Sequence, residues 1–551
     1  MNASTDLAVQ VLRHAIPPAP RASHGRRTVA AVLAAVITIG TPLVAQQPRQ
    51  RPSRPAAAAD TTRAGGDSAR PNRGGGAADS ARLSAIAMRP PVVTHHTMRL
   101  EGTTLAYTAT TGMLPIRNDT TGAAEGYVFY VAYTKDGAGD PGKRPLTFVF
   151  NGGPGSSTVW LHMGAFGPKR VKLLPDGTAP APPYTIEDNP NTLLDQTDLV
   201  FLDPVGTGYS RAANPKLGPK FWGVDEDIAS VGEFIRLYLT RNERWSSPKF
   251  LAGESYGTTR ASGLSGYLAD HGIALNGIVL ISAVLNFETS ADRKGNDLGY
   301  VGFLPSYTAI AWYHKKLPPD LQRETLEQVT ARAEQWAGAG YTLDLMHGAA
   351  MSAAERQAAT DTLSRLTGLS PSFVDENDLR VPLSRFDQEL LRAQRLTVGR
   401  LDGRFTAFAT DAGAERGAFD PSEANIRNAF TPVLNDYVRR ELGFQDDFVY
   451  YVLGGGIGRW RYPQRQGFLD VTPSLERAFA KNPHMKLFVA MGYYDTATPY
   501  YAVEYTLAHL AISPAARANI TTDHFPAGHM VYIDQPSMTR LRSDLRKFIG
   551  G

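Results

Sequence analysis

The sequence predicts an α/β fold, with a mostly parallel central sheet flanked by helices. Four short apolar runs have the length and composition of buried strands, at residues 199–202, 250–252, 278–281 and 487–490. Between the first two runs, apolar residues recur at helical spacing from Val224 to Tyr238. Because strands that alternate with helices usually pair in parallel, we expect both faces of this sheet to be covered.

Two further strands are predicted earlier, at residues 126–133 and 145–150. The segment between them, residues 137–143, has the sequence Gly-Ala-Gly-Asp-Pro-Gly-Lys, which resembles a phosphate-binding loop. Such a loop opens a helix and carries Ser or Thr after the lysine, whereas Arg144 and then a strand follow here. We therefore interpret the segment as a hairpin loop.

Helical patterns dominate from about residue 288 to residue 483, and the strand pattern resumes at Leu487. This predicts a helical cap that is inserted between two strands and lies above one edge of the sheet. Within it, the glycine-rich residues 454–458 do not complete a dinucleotide-binding fingerprint, and we interpret them as a flexible turn.

The first 45 residues have the pattern of a signal peptide. Arg26 and Arg27 precede an apolar run at 28–39, and Leu-Val-Ala at 43–45 has the small-residue character of a cleavage site. The arginine pair hints at twin-arginine export, and an uncleaved anchor is the alternative. The sequence thus predicts a protein exported to the periplasm or the extracellular space, with no integral membrane association after signal cleavage.

Residues 46–90 are predicted to be a disordered linker before a folded domain at 91–551. From residue 46 to residue 82 the chain has no Val, Ile, Leu or aromatic residue, so it cannot bury enough apolar surface to offset the entropy of ordering. Its arginines could instead make a weak contact with an anionic surface.

The composition limits the function classes. Hydrophobic residues make up 42% of the chain, which suffices for a large core, and the net charge of +4 is small for 551 residues. We therefore expect no nucleic-acid partner. The chain has no cysteine, which excludes disulfides, thiolate zinc sites and a cysteine nucleophile. No cofactor or metal is expected.

Ser255 lies in the sequence Gly-Glu-Ser-Tyr-Gly at residues 253–257, between a predicted strand and a predicted helix. In this context a G-x-S-x-G motif forms a sharp turn that exposes the serine hydroxyl at the edge of a sheet. The crossing of strand and helix is tight, so glycine is needed on both sides of the serine. This pattern predicts a nucleophilic serine, although a chance match in a loop is the alternative.

A serine nucleophile needs a base, and His529 is the best candidate because it lies in a loop after the last strand. His484, His509 and His524 are interpreted as surface or packing residues. Asp495 follows the strand at 487–490, so it reaches the same edge and can orient His529. Asp203 also follows a strand but precedes the serine in the chain, and we interpret it as a loop-capping residue. The order serine, aspartate, histidine is that of the α/β-hydrolase arrangement.

The negatively charged intermediate of such a reaction needs hydrogen-bond donors. Residues 151–157, Asn-Gly-Gly-Pro-Gly-Ser-Ser, follow the strand at 145–150, and their glycines let backbone N–H groups approach a substrate. The N–H group of Tyr256 is the second predicted donor. A glycine-proline turn without catalytic meaning is the alternative.

These motifs resemble those of the serine carboxypeptidases. The matching segments are residues 151–157, residues 203–210 (Asp-Pro-Val-Gly-Thr-Gly-Tyr-Ser), residues 253–257, and residues 528–531 (Gly-His-Met-Val) with Asp-Gln-Pro at 534–536. The resemblance implies an α/β-hydrolase fold with a helical cap, and removal of C-terminal residues from peptides through an acyl-enzyme.

The resemblance also assigns roles to single residues. It implies a catalytic triad of Ser255, Asp495 and His529, and an oxyanion hole formed by Gly153 and Tyr256. By the same matching, Asn151, Gly152 and Glu254 bind the terminal carboxylate of the substrate. Two carboxyl groups share a hydrogen bond only when one is protonated, so cleavage should be favoured at acidic pH.

The chain departs from the family pattern at two positions. Many members carry a second glutamate two residues before a Gly-Pro, where this chain has Ala165, and a cysteine is often found at the position of Ser156. The first departure puts the specificity for a free C-terminus in question. Two alternatives therefore remain: an esterase or acyltransferase on the same fold, and a binding or protective protein without catalysis.

Overall fold

A computed structural model describes residues 76–464 and 466–550. The predicted signal peptide and residues 46–75 of the predicted linker lie outside this part of the chain. The last residues of the predicted linker form helix α1, and its Leu83 and Ile86 are buried in the core. These are the first large apolar residues after the segment that lacks them, and their burial attaches α1 to the core.

Fourteen strands occur in the described residues, most of them in one sheet. They are β1 Val92–Leu100, β2 Thr103–Arg117, β3 Ala124–Lys135, β4 Leu146–Phe150, β5 Lys169–Val171, β6 Ile186–Asp188, β7 Asp198–Leu202, β8 Arg211–Ala212, β9 Lys249–Ser255, β10 Gly277–Ala283, β11 Leu396–Val398, β12 Thr406–Phe408, β13 Lys486–Gly492 and β14 Ile520–Phe525.

Ten of these strands form a mostly parallel mixed sheet. Its order is β1-β2-β3-β7-β4-β9-β10-β13-β14, with β8 paired to β3. The strands from β7 to β14 pair in parallel, whereas β1, β2 and β3 form an antiparallel edge that joins β7. Helices flank this sheet, so the predicted α/β class, with a mostly parallel central sheet, is confirmed.

The predicted hairpin of β3 and β4 is wrong. The two strands follow each other in the chain, but β7 lies between them and pairs with both. Residues 137–143 therefore form a connection across one strand, with a 3₁₀ turn at Pro141–Lys143. The physical reason is burial on both faces: every residue of β4 is buried, as expected of a central parallel strand rather than a hairpin partner.

Fifteen α-helices occur in the described residues. They are α1 Gly76–Ala87, α2 Val224–Arg241, α3 Tyr256–Asp270, α4 Asp297–Tyr313, α5 Pro319–Gln322, α6 Leu326–Trp336, α7 Thr342–His347, α8 Ala353–Thr367, α9 Pro371–Glu376, α10 Leu383–Glu389, α11 Pro421–Arg440, α12 Thr472–Lys481, α13 Tyr500–Ala508, α14 Pro514–Arg517 and α15 Gln535–Gly550. None of these helices combines the length and apolar character that crossing a bilayer requires.

Two hydrophobic cores cover the two faces of the sheet. Along β3, Phe129 and Val131 belong to one core, whereas Val128 and Tyr130 belong to the other, as the alternation of a strand requires. Helices α1, α11 and α15 complete the first core. Helices α2, α3, α12 and α13 complete the second.

The long insertion between β10 and β13 divides into two parts. Residues from Tyr300 to Val398 form a third core of their own, which also includes Tyr494. By contrast, α11 and α12 pack on the cores of the sheet. The separately packed helical part is therefore shorter than the 288–483 segment that the sequence suggests as a cap.

Candidate active site

Ser255 lies at the junction of β9 and α3, in a backbone conformation that few residues other than glycine adopt. Its φ is 60° and its ψ is −132°. A Cβ atom at Gly253 would lie 2.3 Å from the carbonyl oxygen of Gly257, and one at Gly257 would lie 2.8 Å from that of Phe150. Both glycines are therefore needed for the crossing, and the strained serine is held by the packing around it.

Asp495 and His529 come together at the same edge of the sheet. Asp495 follows β13, His529 follows β14, and the Nδ1 atom of His529 lies 2.7 Å from Oδ2 of Asp495. The carboxylate also accepts hydrogen bonds from the N–H groups of Ala497 and Thr498 and from the Thr498 hydroxyl. With its Nδ1–H donated to Asp495, His529 has Nε2 free to accept a proton.

The surroundings of His529 favour its protonated form. Burial alone would lower the pKa of this imidazole, but the Asp495 carboxylate outweighs burial and raises it. Ser255 and His529 line one cavity together with Asn151, Gly152 and Glu254. The structure thus places a hydroxyl, an imidazole and a buried carboxylate at one site, which can perform nucleophilic catalysis.

The loop after β4 lies directly against the serine turn. A Cβ atom at Gly152 would lie 2.4 Å from the backbone nitrogen of Tyr256, so only glycine allows this approach. The next residue, Gly153, has a φ of 101° and is exposed at the cavity. The two predicted oxyanion donors, Gly153 and Tyr256, therefore lie on neighbouring segments.

Two other loops support the loop after β4. Asp203, the rejected triad candidate, accepts a hydrogen bond from the N–H group of Thr158 over 2.8 Å. The glycine-rich residues 454–458 do not form an isolated turn, because the N–H group of Gly454 donates to the Gly155 carbonyl over 3.0 Å. No local sequence pattern predicts this second contact.

Asn151 and Glu254 form a buried pair beside Ser255. The side-chain amide of Asn151 donates to Oε1 of Glu254 over 3.1 Å. The other oxygen, Oε2, has no hydrogen-bond partner among the described residues. Burial raises the pKa of Glu254 to about 7. At acidic pH this group is therefore a neutral carboxylic acid, with a proton to donate.

Tyr532 lies behind this pair and was not predicted. Its side chain is buried, and its hydroxyl lies beside Glu254 and Asn151 without a well-aligned hydrogen bond. Its ring occupies the space next to Gly164, where a Cβ atom would lie 2.8 Å from the ring. The neighbouring Ala165 is fully buried and carries no polar group, so no second carboxyl group comes from this position.

Arg260 fixes the backbone of Asn151 from the opposite side. Its guanidinium forms an ion pair with Asp227 over 2.7 Å and donates to the Asn151 carbonyl over 2.6 Å. The Oδ1 atom of Asn151 accepts the N–H group of Leu161 over 3.0 Å, which orients the amide toward Glu254. Arg260 and Asp227 are both almost completely buried.

Residues of the insertion hold the loop that carries His529, which was not predicted from the sequence. The N–H group of His529 donates to the carbonyl of Leu401, and that of Gly528 donates to Asp402 over 3.2 Å. Asp402 is paired with Arg404, which also bonds Asp534 over 3.1 Å. No local pattern marks these residues, because their partners lie more than a hundred residues away.

The competing histidines lie away from this chemistry. His524 pairs with Glu504 over 3.0 Å, His509 bonds the Tyr505 carbonyl of its own helix, and His484 is exposed. Within residues 76–464 and 466–550, no group of histidine and acidic residues is arranged to hold a metal ion. Of these four histidines, His529 is the one that lines the cavity with Ser255.

Comparison with known protein families matches the part of the chain that contains Ser255 and its neighbours, but not the part that contains Asp495 and His529. Residues 103–366 match the family model described as serine carboxypeptidase. This range includes Asn151, Glu254 and Ser255, but not Asp495 or His529. A serine carboxypeptidase-like protein of Arabidopsis thaliana is 29% identical over 175 residues, which are 30% of this chain and 33% of that relative. The match thus spans only about a third of the relative's length.

The chain was also matched to solved structures. The crystal structure of Kex1(Δ)p, a prohormone-processing carboxypeptidase from Saccharomyces cerevisiae, is 16% identical, with 80% of this chain and 91% of that chain covered and a TM-score of 0.49. A bacterial heroin esterase is 11% identical, with coverages of 86% and 89% and a TM-score of 0.33.

Proposed function

We propose that this chain, which is related to the serine carboxypeptidases, releases C-terminal residues from peptides through an acyl-enzyme. The observation that carries the proposal is the buried Asn151–Glu254 pair next to Ser255. An esterase needs the nucleophile and its base, but it has no need for a protonated carboxyl group and an amide at the end of the substrate. A free peptide carboxylate is the ligand that such a pair of donors fits.

In the first step, Ser255 Oγ attacks the carbonyl carbon of the last peptide bond while its proton moves to Nε2 of His529. Asp495 stabilises the imidazolium that forms. The N–H groups of Gly153 and Tyr256 donate to the oxyanion. When the intermediate collapses, the C–N bond breaks and His529 gives its proton to the departing amine.

In the second step, a water molecule attacks the ester on Ser255 and transfers a proton to His529. The acyl–oxygen bond then breaks, and His529 returns the proton to Ser255. The chain's own residues supply each group that this cycle needs, so the proposal includes no metal or cofactor.

Recognition of the peptide end depends on the protonation of Glu254. As a neutral acid it donates its proton to the terminal carboxylate, while Asn151 donates an amide hydrogen and Gly152 offers a backbone N–H. Ionised, it repels the same carboxylate. Because the pKa of Glu254 is about 7, peptide binding should weaken as the pH rises through neutrality.

Glu254 also affects His529. The ionised carboxylate is one of the charges that raise the pKa of His529. Once Glu254 is protonated, this contribution disappears, and His529 loses its proton more easily. The productive state combines neutral His529 with protonated Glu254, so its population falls above neutrality, where Glu254 ionises, and also at strongly acidic pH, where His529 is protonated as well.

The proposal is tested with a serine-reactive phosphonate and a peptide that has a free C-terminus. We expect an adduct on Ser255 and stepwise loss of residues from the peptide's end, and neither with Ser255→Ala. An adduct without peptide shortening would favour an esterase or acyltransferase. A folded protein without an adduct would favour a binding protein.

We also propose that the protein is exported. The support is the arginine pair followed by the apolar run at 28–39, which lies outside the described residues. Mass spectrometry of the N-terminus of the protein, recovered outside the cytoplasm of a producing cell, would test cleavage near residue 45.

A further inference from the structure

Arg400 lies at the rim of the cavity that holds Ser255, Glu254 and His529. Its backbone is fixed on both sides: its N–H group donates to Asp420 over 3.2 Å, and its carbonyl accepts hydrogen bonds from the backbone and side chain of Thr496. Thr496 follows the proposed triad residue Asp495. The backbone of Arg400 is therefore held against the proposed catalytic loop. The residue as a whole is exposed.

The guanidinium of Arg400 has no partner of its own. Among the described residues it forms no hydrogen bond or ion pair. The other charged side chain at the rim, Glu423, is already engaged by Arg427 over 3.0 Å. Arg400 is also close enough to lower the pKa of His529 by its charge. The guanidinium therefore lines the cavity with N–H groups that no described residue accepts, although its charge also acts on the buried Asp387.

We propose that Arg400 binds a carboxylate group of the substrate. The inference rests on the proposed function, because it takes the ligand of this cavity to be a peptide. A planar guanidinium with free N–H groups matches a carboxylate in shape and charge. That carboxylate comes either from an acidic side chain next to the cleaved bond or from the peptide's C-terminus.

The two sources differ in what they require of the rest of the site. Asn151 and Glu254 already offer donors for the terminal carboxylate, and these donors are neutral at acidic pH. An arginine guanidinium, by contrast, is a permanently charged donor. We therefore expect Arg400 to bind, at acidic pH, the carboxylate of an acidic side chain next to the cleaved bond. Peptides with Glu or Asp as the last or the penultimate residue should then be preferred substrates.

The test compares four proteins: wild type, Arg400→Gln, Arg400→Glu and the control Arg440→Gln. Arg440 carries the same charge but is highly exposed at the end of α11 and does not line the cavity. Substrates are peptides with Glu or Gln as the last residue, the same pair at the penultimate position, and amidated versions of each.

For a side-chain ligand, we expect Arg400→Gln to lower kcat/KM about tenfold for the Glu peptides and little for the Gln peptides. Arg400→Glu should reverse the preference, and Arg440→Gln should change neither rate. If Arg400 instead binds the C-terminal carboxylate, Arg400→Gln should lower kcat/KM for every peptide with a free C-terminus and for no amidated peptide. Equal rates for wild type and Arg400→Gln on all peptides would overturn the inference, as would an equal loss on all of them.

A pair of esters separates this inference from the proposed function. Both compounds are esters, so their hydrolysis needs no peptidase activity. para-Nitrophenyl hydrogen succinate carries a carboxylate, whereas para-nitrophenyl butyrate does not. A succinate preference that Arg400→Gln removes supports carboxylate binding even if no peptide is shortened. Peptide release with no dependence on Arg400 in either series would leave the proposed function intact and contradict this inference alone.

Discussion

The amide of Asn151 donates a 3.1 Å hydrogen bond to the buried carboxyl group of Glu254, which is the residue directly before Ser255 in the chain. Asn151 directly follows β4, and Glu254 lies in the neighbouring parallel strand β9, so the sheet itself brings the two together. Burial keeps Glu254 protonated up to about pH 7. A donor pair of this kind is matched to a carboxylate rather than to a neutral ester.

Replacing Glu254 with Gln should remove the pH dependence that Glu254 causes. In the wild type, the protonated fraction of a group with a pKa of about 7 falls about tenfold between about pH 6 and about pH 8. We expect kcat/KM for free-ended peptides to fall with it, and Glu254→Gln to abolish this alkaline decline. Amidated peptides serve as the control. A pH profile that is the same in both proteins would contradict the assignment.

Replacing Tyr532 with Phe should move the alkaline decline to higher pH. The Tyr532 phenol beside Glu254 lowers the pKa of that carboxyl group, so its loss should raise the pKa further. The shift is measured on the same free-ended peptide. Tyr107→Phe is the matched control, since Tyr107 is a buried phenol that likewise lacks a hydrogen-bond partner. If both variants shift alike, Tyr532 has no specific effect on Glu254.

Replacing Asp495 with Asn should lower kcat by about four orders of magnitude without unfolding the protein. The amide cannot stabilise the protonated His529, and it favours the wrong tautomer. Asp203→Asn is the comparison, because Asp203 is also a buried aspartate after a strand, and it accepts the N–H group of Thr158 rather than that of a histidine. A loss of kcat in Asp203→Asn as large as that in Asp495→Asn would contradict the proposed triad.

Replacing Arg260 with Met should destabilise the fold by about 3–5 kcal/mol, since it leaves the charge of Asp227 buried and unpaired. Urea unfolding measures the loss. The double variant Asp227→Leu with Arg260→Met should recover much of it, because no buried charge then remains. Equal stability of the wild type and Arg260→Met would show that the pair does not hold the Asn151 backbone.

Much of the sheet could be predicted because its central strands are buried on both faces and appear as continuous apolar runs. The antiparallel strands β1 and β2 escaped prediction. Along β1, polar and exposed residues such as His95 alternate with half-buried ones, and the burial of β2 depends on its neighbours. The wrong hairpin had a related cause: adjacency in sequence does not reveal that β7 enters between β3 and β4.

The residues of the candidate site divide in the same way. Ser255, Asp495 and His529 each follow or end a parallel strand, and such positions meet at one edge of a sheet, so their proximity could be predicted. Tyr532 and Arg400 could not, because their neighbours come from segments that fold back from distant parts of the chain. Their meaning depends on contacts, not on a local pattern.

The central claim is that this site cuts next to a free peptide end. The most direct measurement is the ratio of kcat/KM for one peptide with a free C-terminus to that for its amidated form, at acidic pH and again above neutrality. We predict a large ratio at acidic pH that collapses above neutrality in the wild type and does not change with pH in Glu254→Gln. Equal cleavage of both forms by the wild type at acidic pH would contradict the account.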